Sequence, residues 1–220
     1  ERDDAPADDV LRALFATQRE AYAAQARRLT EVAGRPGRGL EVGSYVGGFL
    51  AAARDHGWDF DGVDISARAA AFAEANGFRI TLGEIASVTA SAPYDAVAIW
   101  NTFEQLYDSR AAVVSARSLL REGGLLAVRI PNGDFYERWR ARLDGRLAAV
   151  AERLLAHNNL LTFPYRQGFT ASSLERLLVR SGFEVVRVFG DTLVPISDEW
   201  TTSFGAIDER IVKRIERLTQ

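Results

Sequence analysis

The sequence has 220 residues, with 27 basic and 30 acidic side chains for a net charge of −3, and it is 47% hydrophobic and 26% charged; this globular-average composition excludes collagen-like, disordered and disulfide-stapled chains and suits one domain with a sizeable core. With no cysteine and only His56 and His157 as histidines, disulfides, thiolate metal sites and thiol catalysis are excluded, no metal is expected although a carboxylate-held magnesium stays open, and a reducing, cytoplasmic compartment is expected. No run of Lys or Arg stands alone, no apolar stretch is long enough to span a bilayer, and the lead ERDDAPADD is the reverse of a signal peptide, so neither nucleic acid nor membrane is an expected partner.

In chain order, Val10 to Val32 sets Val10, Leu11, Leu14, Phe15, Tyr22, Ala26 and Leu29 at helical spacing ahead of Gly34 and Pro36, which predicts a leading amphipathic helix within residues 10–33. Gly39 to Val42 is a short apolar run ending in glycines, followed by a helical stretch from Gly47 to His56. The alternation continues with strand Phe60 to Val63, helix Ala67 to Asn76, strand Phe78 to Leu82, the strongly apolar strand Tyr94 to Trp100, helix Ser109 to Leu120 and strand Leu125 to Ile130. Short apolar strands separated by helices predict a doubly wound α/β fold with a mostly parallel sheet. The Arg-rich stretch Asp134 to Leu155 reads as a helical insertion after the fifth strand, a lid over residues 134–160. Helix Ala171 to Ser181 and strand Phe183 to Phe189 resume the rhythm. In the tail, Thr192 to Ile196 or Trp200 to Phe204 is a candidate last strand, and Ile207 to Leu218 a helix. Residues 1–220 read as a single domain.

In an open α/β sheet the ligand crevice lies outside the carboxyl ends of the strands. The first such end is LEVGSYVGG, Leu40 to Gly48, where Gly43 and Gly47 let backbone approach a ligand and Glu41 places a carboxylate at the strand tip; the competing reading is a tight turn whose glycines serve packing. The second is DGVDIS, where Asp64 stands 21 residues after Gly43, the distance at which a carboxylate accepts both ribose hydroxyls. A helix N-cap is the alternative there, and Ser66 can supply it instead. Charge then separates the adenosine-containing cofactors. Between Gly39 and Ala53 there is no Lys or Arg to meet a pyrophosphate, Glu41 adds repulsion, and Tyr45 occupies the second glycine of the dinucleotide pattern G-x-G-x-x-G. S-adenosylmethionine has no phosphate, and its ammonium and sulfonium suit an acidic strand tip.

These residues carry a family resemblance. LEVGSYVGG resembles the first motif of class I S-adenosylmethionine-dependent methyltransferases, an acidic residue followed by G-x-G-x-G, with Tyr45 in place of the middle glycine. Asp64 is similar to that family's ribose-binding acid. GEIAS, Gly83 to Ser87, looks like the third-strand end that meets the adenine, and the resemblance gives that role to Glu84 and Ile85. YDAVAIWNTFEQLYD, Tyr94 to Asp108, resembles the fourth-strand motif, with Gln105 where close relatives commonly have histidine. SLLREGGLLAVRIPN, Ser118 to Asn132, and SGFEVVRV, Ser181 to Val188, resemble the segments of the fifth and sixth strands. The resemblance implies a Rossmann-like methyltransferase fold and a cofactor site of Glu41, Gly43, Ser44, Tyr45, Gly47, Asp64, Ile65, Glu84, Ile85 and Asn101. S-adenosylmethionine is then the donor and S-adenosylhomocysteine the product.

Methyl transfer is an in-line displacement that works by orientation and desolvation, with a base needed only for some acceptors. His157, just after the inserted helix, is the candidate base, and a helix-end histidine favoured by the macrodipole is the competing reading. Glu104 and Tyr107 follow the fourth strand and can line the acceptor side. Tyr136, Trp139 and Arg142 form a partly aromatic stripe on the insertion that can stack on a planar acceptor, with packing in the core as the competing reading, and Tyr165 and Arg166 in NNLLTFPYRQGFT suit an anionic or aromatic acceptor. The expectation is O-methylation of a small-molecule acceptor. Two readings compete with it: a nicotinamide-dependent oxidoreductase, and a catalytically silent methyltransferase-like domain that binds a partner.

Overall fold

A computed structural model describes residues 8–134, 137 and 166–190. Two compact units divide the chain, Glu1–Phe103 with Asp108–Arg129, and Glu104–Tyr107 with Ile130–Gln220. The first contains β1 (Arg38–Val42), β2 (Asp59–Asp64), β3 (Ile80–Leu82), β4 (Tyr94–Trp100) and β5 (Leu120–Arg129), which form one sheet in the order β3-β2-β1-β4-β5. Every pair in it is parallel. The chain winds outward from β1 to β3 and returns to the other side of β1 at β4, so the topological switch point lies between β1 and β4. This is the expected doubly wound α/β arrangement. Leu40, Val63, Val97 and Ile99 are fully buried, which is why these strands read as apolar runs rather than as alternations.

Helix ends follow local chemistry. α3 (Gly48–Asp55) starts after Gly47, held at φ 81°, and ends at His56, whose Nδ1 lies 2.9 Å from the Ala52 carbonyl oxygen. The Ser66 hydroxyl caps α4 (Ala67–Ala75) by accepting the Ala69 N–H, and the Asp108 carboxylate caps α5 (Ser109–Leu119) by accepting that of Ala111. The single leading helix expected from sequence is instead two, α1 (Asp8–Ala21) and α2 (Ala23–Ala33), separated at Tyr22. α1 packs on the start of α3, where a Cβ on Gly48 would fall 2.3 Å from Gln18 Cβ. Its Phe15 meets the rings of Phe72 and Phe78 at 6.1 and 6.3 Å.

Two strand boundaries also shift. Phe78 belongs to the packing beneath α1 and β3 begins at Ile80, while β5 begins at Leu120 because its register against β4 jumps from Tyr94–Leu120 to Ala96–Leu125. At the amino ends of the strands, Asp61 accepts from Tyr94, Arg38 and Arg79, tying β2 to β1 and β4. Burial alone would raise the Asp61 pKa, but these donors outweigh it and hold the carboxyl below its ordinary value. Burial, and then the bond to Asp61, pushes the Tyr94 hydroxyl up to about 12.

In the second unit the Gly133 N–H donates to the Phe169 carbonyl, and Asp134 Oδ2 accepts the Ala171 N–H at 3.0 Å. α6 (Ala171–Arg180) opens there with a capping box between Thr170 and Ser173. The strand expected over Phe183 to Phe189 has no pairing partner among the described residues. Val186 and Val188 face solvent, and no ladder takes up the segment's backbone groups among the described residues. The expected lid and the elements of the tail lie outside the described residues. Among those residues no helix is long and apolar enough to cross a membrane, and no group of three His, Cys, Asp or Glu side chains is placed to hold a metal ion.

Candidate active site

The site is built at the carboxyl ends of β1, β2 and β4. After β1 delivers Glu41, the chain turns at Gly43, and the N–H groups of Gly43 and Ser44 donate to the Val63 carbonyl at 2.8 and 3.2 Å. Gly43 is required on two counts: its φ is 73°, and a Cβ would lie 2.4 Å from Thr102 Oγ1. The turn runs on through Tyr45, left-handed at φ 45°, to Gly47 at φ 81°. Gly62, in the middle of β2, leaves the space that Ser44 fills, since a Cβ there would meet Ser44 Oγ at 2.5 Å.

Asp64 holds this turn in place. Its Oδ2 accepts the Tyr45 N–H at 2.7 Å and its Oδ1 accepts the Ser66 N–H at 2.8 Å. Because Ser66 caps α4, Asp64 is free of the capping role. Burial raises the Asp64 pKa, against the lowering effect of the backbone donors. Each carboxylate oxygen has two lone pairs, so the carboxylate retains acceptor capacity beyond these two bonds.

Glu41 is only 3% exposed, and its Oε2 has no hydrogen-bond partner. Burial first, and then the charge of Asp64, push its pKa well above the carboxylate range, which favours the neutral acid in the free protein. Ser44 Oγ is likewise buried without a partner. Burial and then Asp64 also raise the Tyr45 hydroxyl. Two orphaned polar atoms beside one glycine turn, next to the Asp64 carboxylate, fit a ligand that brings a cation and polar groups.

At the end of β4, Asn101 sits at φ 53°, donates its N–H to the Arg129 carbonyl at 3.1 Å, and donates from Nδ2 to the Tyr22 hydroxyl at 3.4 Å. Phe49 packs edge-on between Tyr22 and Trp100, with ring centroids 5.8 and 5.1 Å away. Tyr22 and Thr102 are thus site residues that the sequence does not announce. Tyr22 carries only a helix-stripe signal, and Thr102 carries no signal beyond following Asn101. On the other side, Ile65 is 77% exposed, and Leu82, the register partner of Asp64, is also exposed. The two residues expected at the adenine separate: Glu84 faces solvent, whereas Ile85 is buried.

In the second unit, Glu104, buried as a side chain, accepts through its carbonyl the N–H groups of Arg166 and Gln167 at 2.9 and 3.1 Å. Gln167 Nε2 donates to the Leu106 carbonyl at 2.7 Å, and the Arg166 guanidinium lies over the Tyr107 ring, 4.6 Å from its centroid. Three residues expected on the acceptor side, Glu104, Tyr107 and Arg166, therefore come together. Tyr136, Trp139, Arg142, His157 and Tyr165 lie outside the described residues.

A family model, that of the methyltransferase domain, matches residues 15–188. Among solved structures, an S-adenosylmethionine-dependent methyltransferase from Thermotoga maritima, described as a possible histamine N-methyltransferase, is 22% identical with a TM-score of 0.57, over 79% of this chain and 76% of that one. The plantazolicin methyltransferase, solved with a pentazolic desmethylPZN analogue and SAH, is 16% identical with a TM-score of 0.54, over 76% of this chain. The match spans 63% of that enzyme, less than two thirds of its length. At these identities the likeness is one of fold. No curated protein matches the sequence.

Proposed function

The chain belongs to the methyltransferase-domain family, and from that membership we propose that it moves a methyl group from S-adenosylmethionine to an oxygen atom of a small-molecule acceptor and releases S-adenosylhomocysteine, in the reducing cytoplasm that a cysteine-free composition suits. The observation that carries this reading is the buried, unpartnered Glu41 carboxyl beside the Gly43 turn. When bound, S-adenosylmethionine supplies a methyl group on a sulfonium, open to in-line displacement by an acceptor lone pair. The residues divide the binding between them. Asp64 accepts ribose hydroxyls with the lone pairs that Tyr45 and Ser66 leave, Glu41 ionises to accept from the ammonium, and Ser44 satisfies its hydroxyl on the amino-acid end. Ile65 and Leu82 offer apolar cover to the adenine, with Glu84 at its amino group.

The proposal of oxygen rests on the described residues, which offer no free base beside the donor site. The described histidine, His56, is engaged at the end of α3, and Asp64 is held by backbone donors. A phenolate or carboxylate oxygen needs no base in the transition state, whereas an ammonium must first lose its proton. Candidates for the acceptor side are Glu104, Tyr107 and Arg166, with Tyr136, Tyr165 and the candidate base His157 outside the described residues. Release of S-adenosylhomocysteine from the full chain, measured over a panel of phenols, carboxylates and amines, tests this. Turnover with an oxygen acceptor, lost in Asp64→Asn, supports it. Turnover with amines alone overturns the acceptor atom, and binding without turnover of any acceptor indicates the silent partner-binding domain.

A further inference from the structure

Resting on the reading of this chain as an S-adenosylmethionine-dependent methyltransferase, we propose that the indole N–H of Trp100 is the receptor for the carboxylate at the amino-acid end of the donor, working together with the Glu41 carboxyl that takes the ammonium of the same end. Trp100 closes β4, and it is buried with its Nε1 unpartnered. An indole N–H only donates, so an acceptor has to come to it. Trp58 shows what a purely structural indole does: it is likewise buried, and its Nε1 donates to Thr30 Oγ1 at 2.9 Å.

The register brings the two orphaned groups to one face of the sheet. Glu41 stands opposite Gly62 on β2 and Ala98 on β4, and paired residues of parallel strands project to the same side while successive residues alternate. Phe60, two residues before Gly62, and Trp100, two after Ala98, therefore share the face of Glu41. The Phe49 ring agrees with this placement, with its centroid 5.1 Å from those of both Phe60 and Trp100. Phe49 is the second residue of α3, so the indole adjoins the positive end of that helix, where an anion is favoured. The amino-acid end of the donor is a zwitterion. Its ammonium suits the buried acid, but its carboxylate needs donors, and residues 39–53 hold no Lys or Arg. A neutral indole donor beside the start of α3 supplies one without a cation that would repel the ammonium and sulfonium. All of these residues lie in the first compact unit.

The experiment is calorimetric titration of the full chain with S-adenosylhomocysteine and with its decarboxylated analogue S-adenosyl-thiopropylamine, which keeps the nucleoside, the thioether and the ammonium. Trp100→Phe, which keeps an aromatic ring against Phe49 and removes the N–H, is expected to weaken S-adenosylhomocysteine about tenfold or more, as loss of a hydrogen bond to a charged group implies, and to leave the affinity for the analogue unchanged. Trp58→Phe, at the indole already satisfied by Thr30, is expected to keep the wild-type ratio of the two affinities. A second measurement leaves Trp100 in place. In protein isotopically labelled at its four tryptophans, the Trp100 indole N–H signal is assigned by elimination with Trp58→Phe, Trp139→Phe and Trp200→Phe. It is expected to move downfield with S-adenosylhomocysteine but not with the analogue. A ratio unmoved by Trp100→Phe, or an indole signal that answers both ligands alike, overturns the proposal while the methyltransferase reading stands. If the wild type binds neither nucleoside, the reading falls and the proposal with it.

Discussion

Replacing Glu41 by glutamine keeps its shape and removes its charge, and two opposite consequences follow. In the free protein, burial and Asp64 raise the Glu41 pKa well above its unfolded value. Below the unfolded pKa the acid is neutral in both states and imposes no penalty; as pH rises toward the folded pKa, the unfolded chain ionises first and stability is lost. Each tenfold change in the acid's ionisation equilibrium between the two states is worth about 1.4 kcal/mol, so Glu41→Gln should raise the melting temperature of the ligand-free protein near pH 8, by about 2–4 °C for every kcal/mol recovered in a domain of this size, and leave it unchanged near pH 4. Donor binding should move the other way. Losing a charge-assisted bond to an ammonium removes about 1.5–3 kcal/mol, a roughly 10- to 150-fold rise in the Kd for S-adenosylhomocysteine. The wild type should bind more tightly as pH rises and release a proton on binding, which calorimetry in buffers of different ionisation enthalpy reads directly. Glu41→Gln that binds as tightly as wild type, or that melts lower at pH 8, refutes the reasoning.

Asp64→Asn keeps one acceptor oxygen but loses the charge that receives the Tyr45 and Ser66 N–H groups, and a Kd for S-adenosylhomocysteine at least about tenfold weaker is expected by calorimetry. Gly43→Ala combines a positive φ with a Cβ 2.4 Å from Thr102 Oγ1; about 2–4 kcal/mol of lost stability is expected in urea unfolding, with donor binding lost as well. Asp61 has its pKa held down by Tyr94, Arg38 and Arg79 against burial, so its contribution is present above the unfolded pKa and disappears as pH falls through the folded one. Asp61→Asn should therefore destabilise the protein by about 1–3 kcal/mol at pH 7, and the difference from wild type should shrink in acid unfolding followed by circular dichroism.

The sheet is legible in the sequence because its strands are buried on both faces and bounded by glycines: the apolar run Tyr94 to Trp100 coincides with β4, and the run Gly39 to Val42 falls within a residue of the start of β1. The candidate donor site is read from the same strand ends. Gly43 and Gly47 answer to backbone geometry and Asp64 to ribose spacing, with Glu41 two residues before Gly43 and Ser44 directly after it. What the sequence hides is whatever depends on distant segments. The division at Tyr22 carries neither proline nor glycine, and the approach of Tyr22 to Asn101 joins residues 79 positions apart. Ile85 resembles an adenine contact because it follows Glu84, yet the short helical turn Ile85–Ser87 buries it.

The central claim is that the Gly43 turn, with Glu41 and Asp64, takes a cationic nucleoside without phosphate. Calorimetric titration of the full chain with S-adenosylmethionine, S-adenosylhomocysteine and NAD measures this most directly. Saturable one-site binding of the first two and none of NAD is the predicted result; tight binding of NAD, with neither sulfur nucleoside bound, would contradict the account.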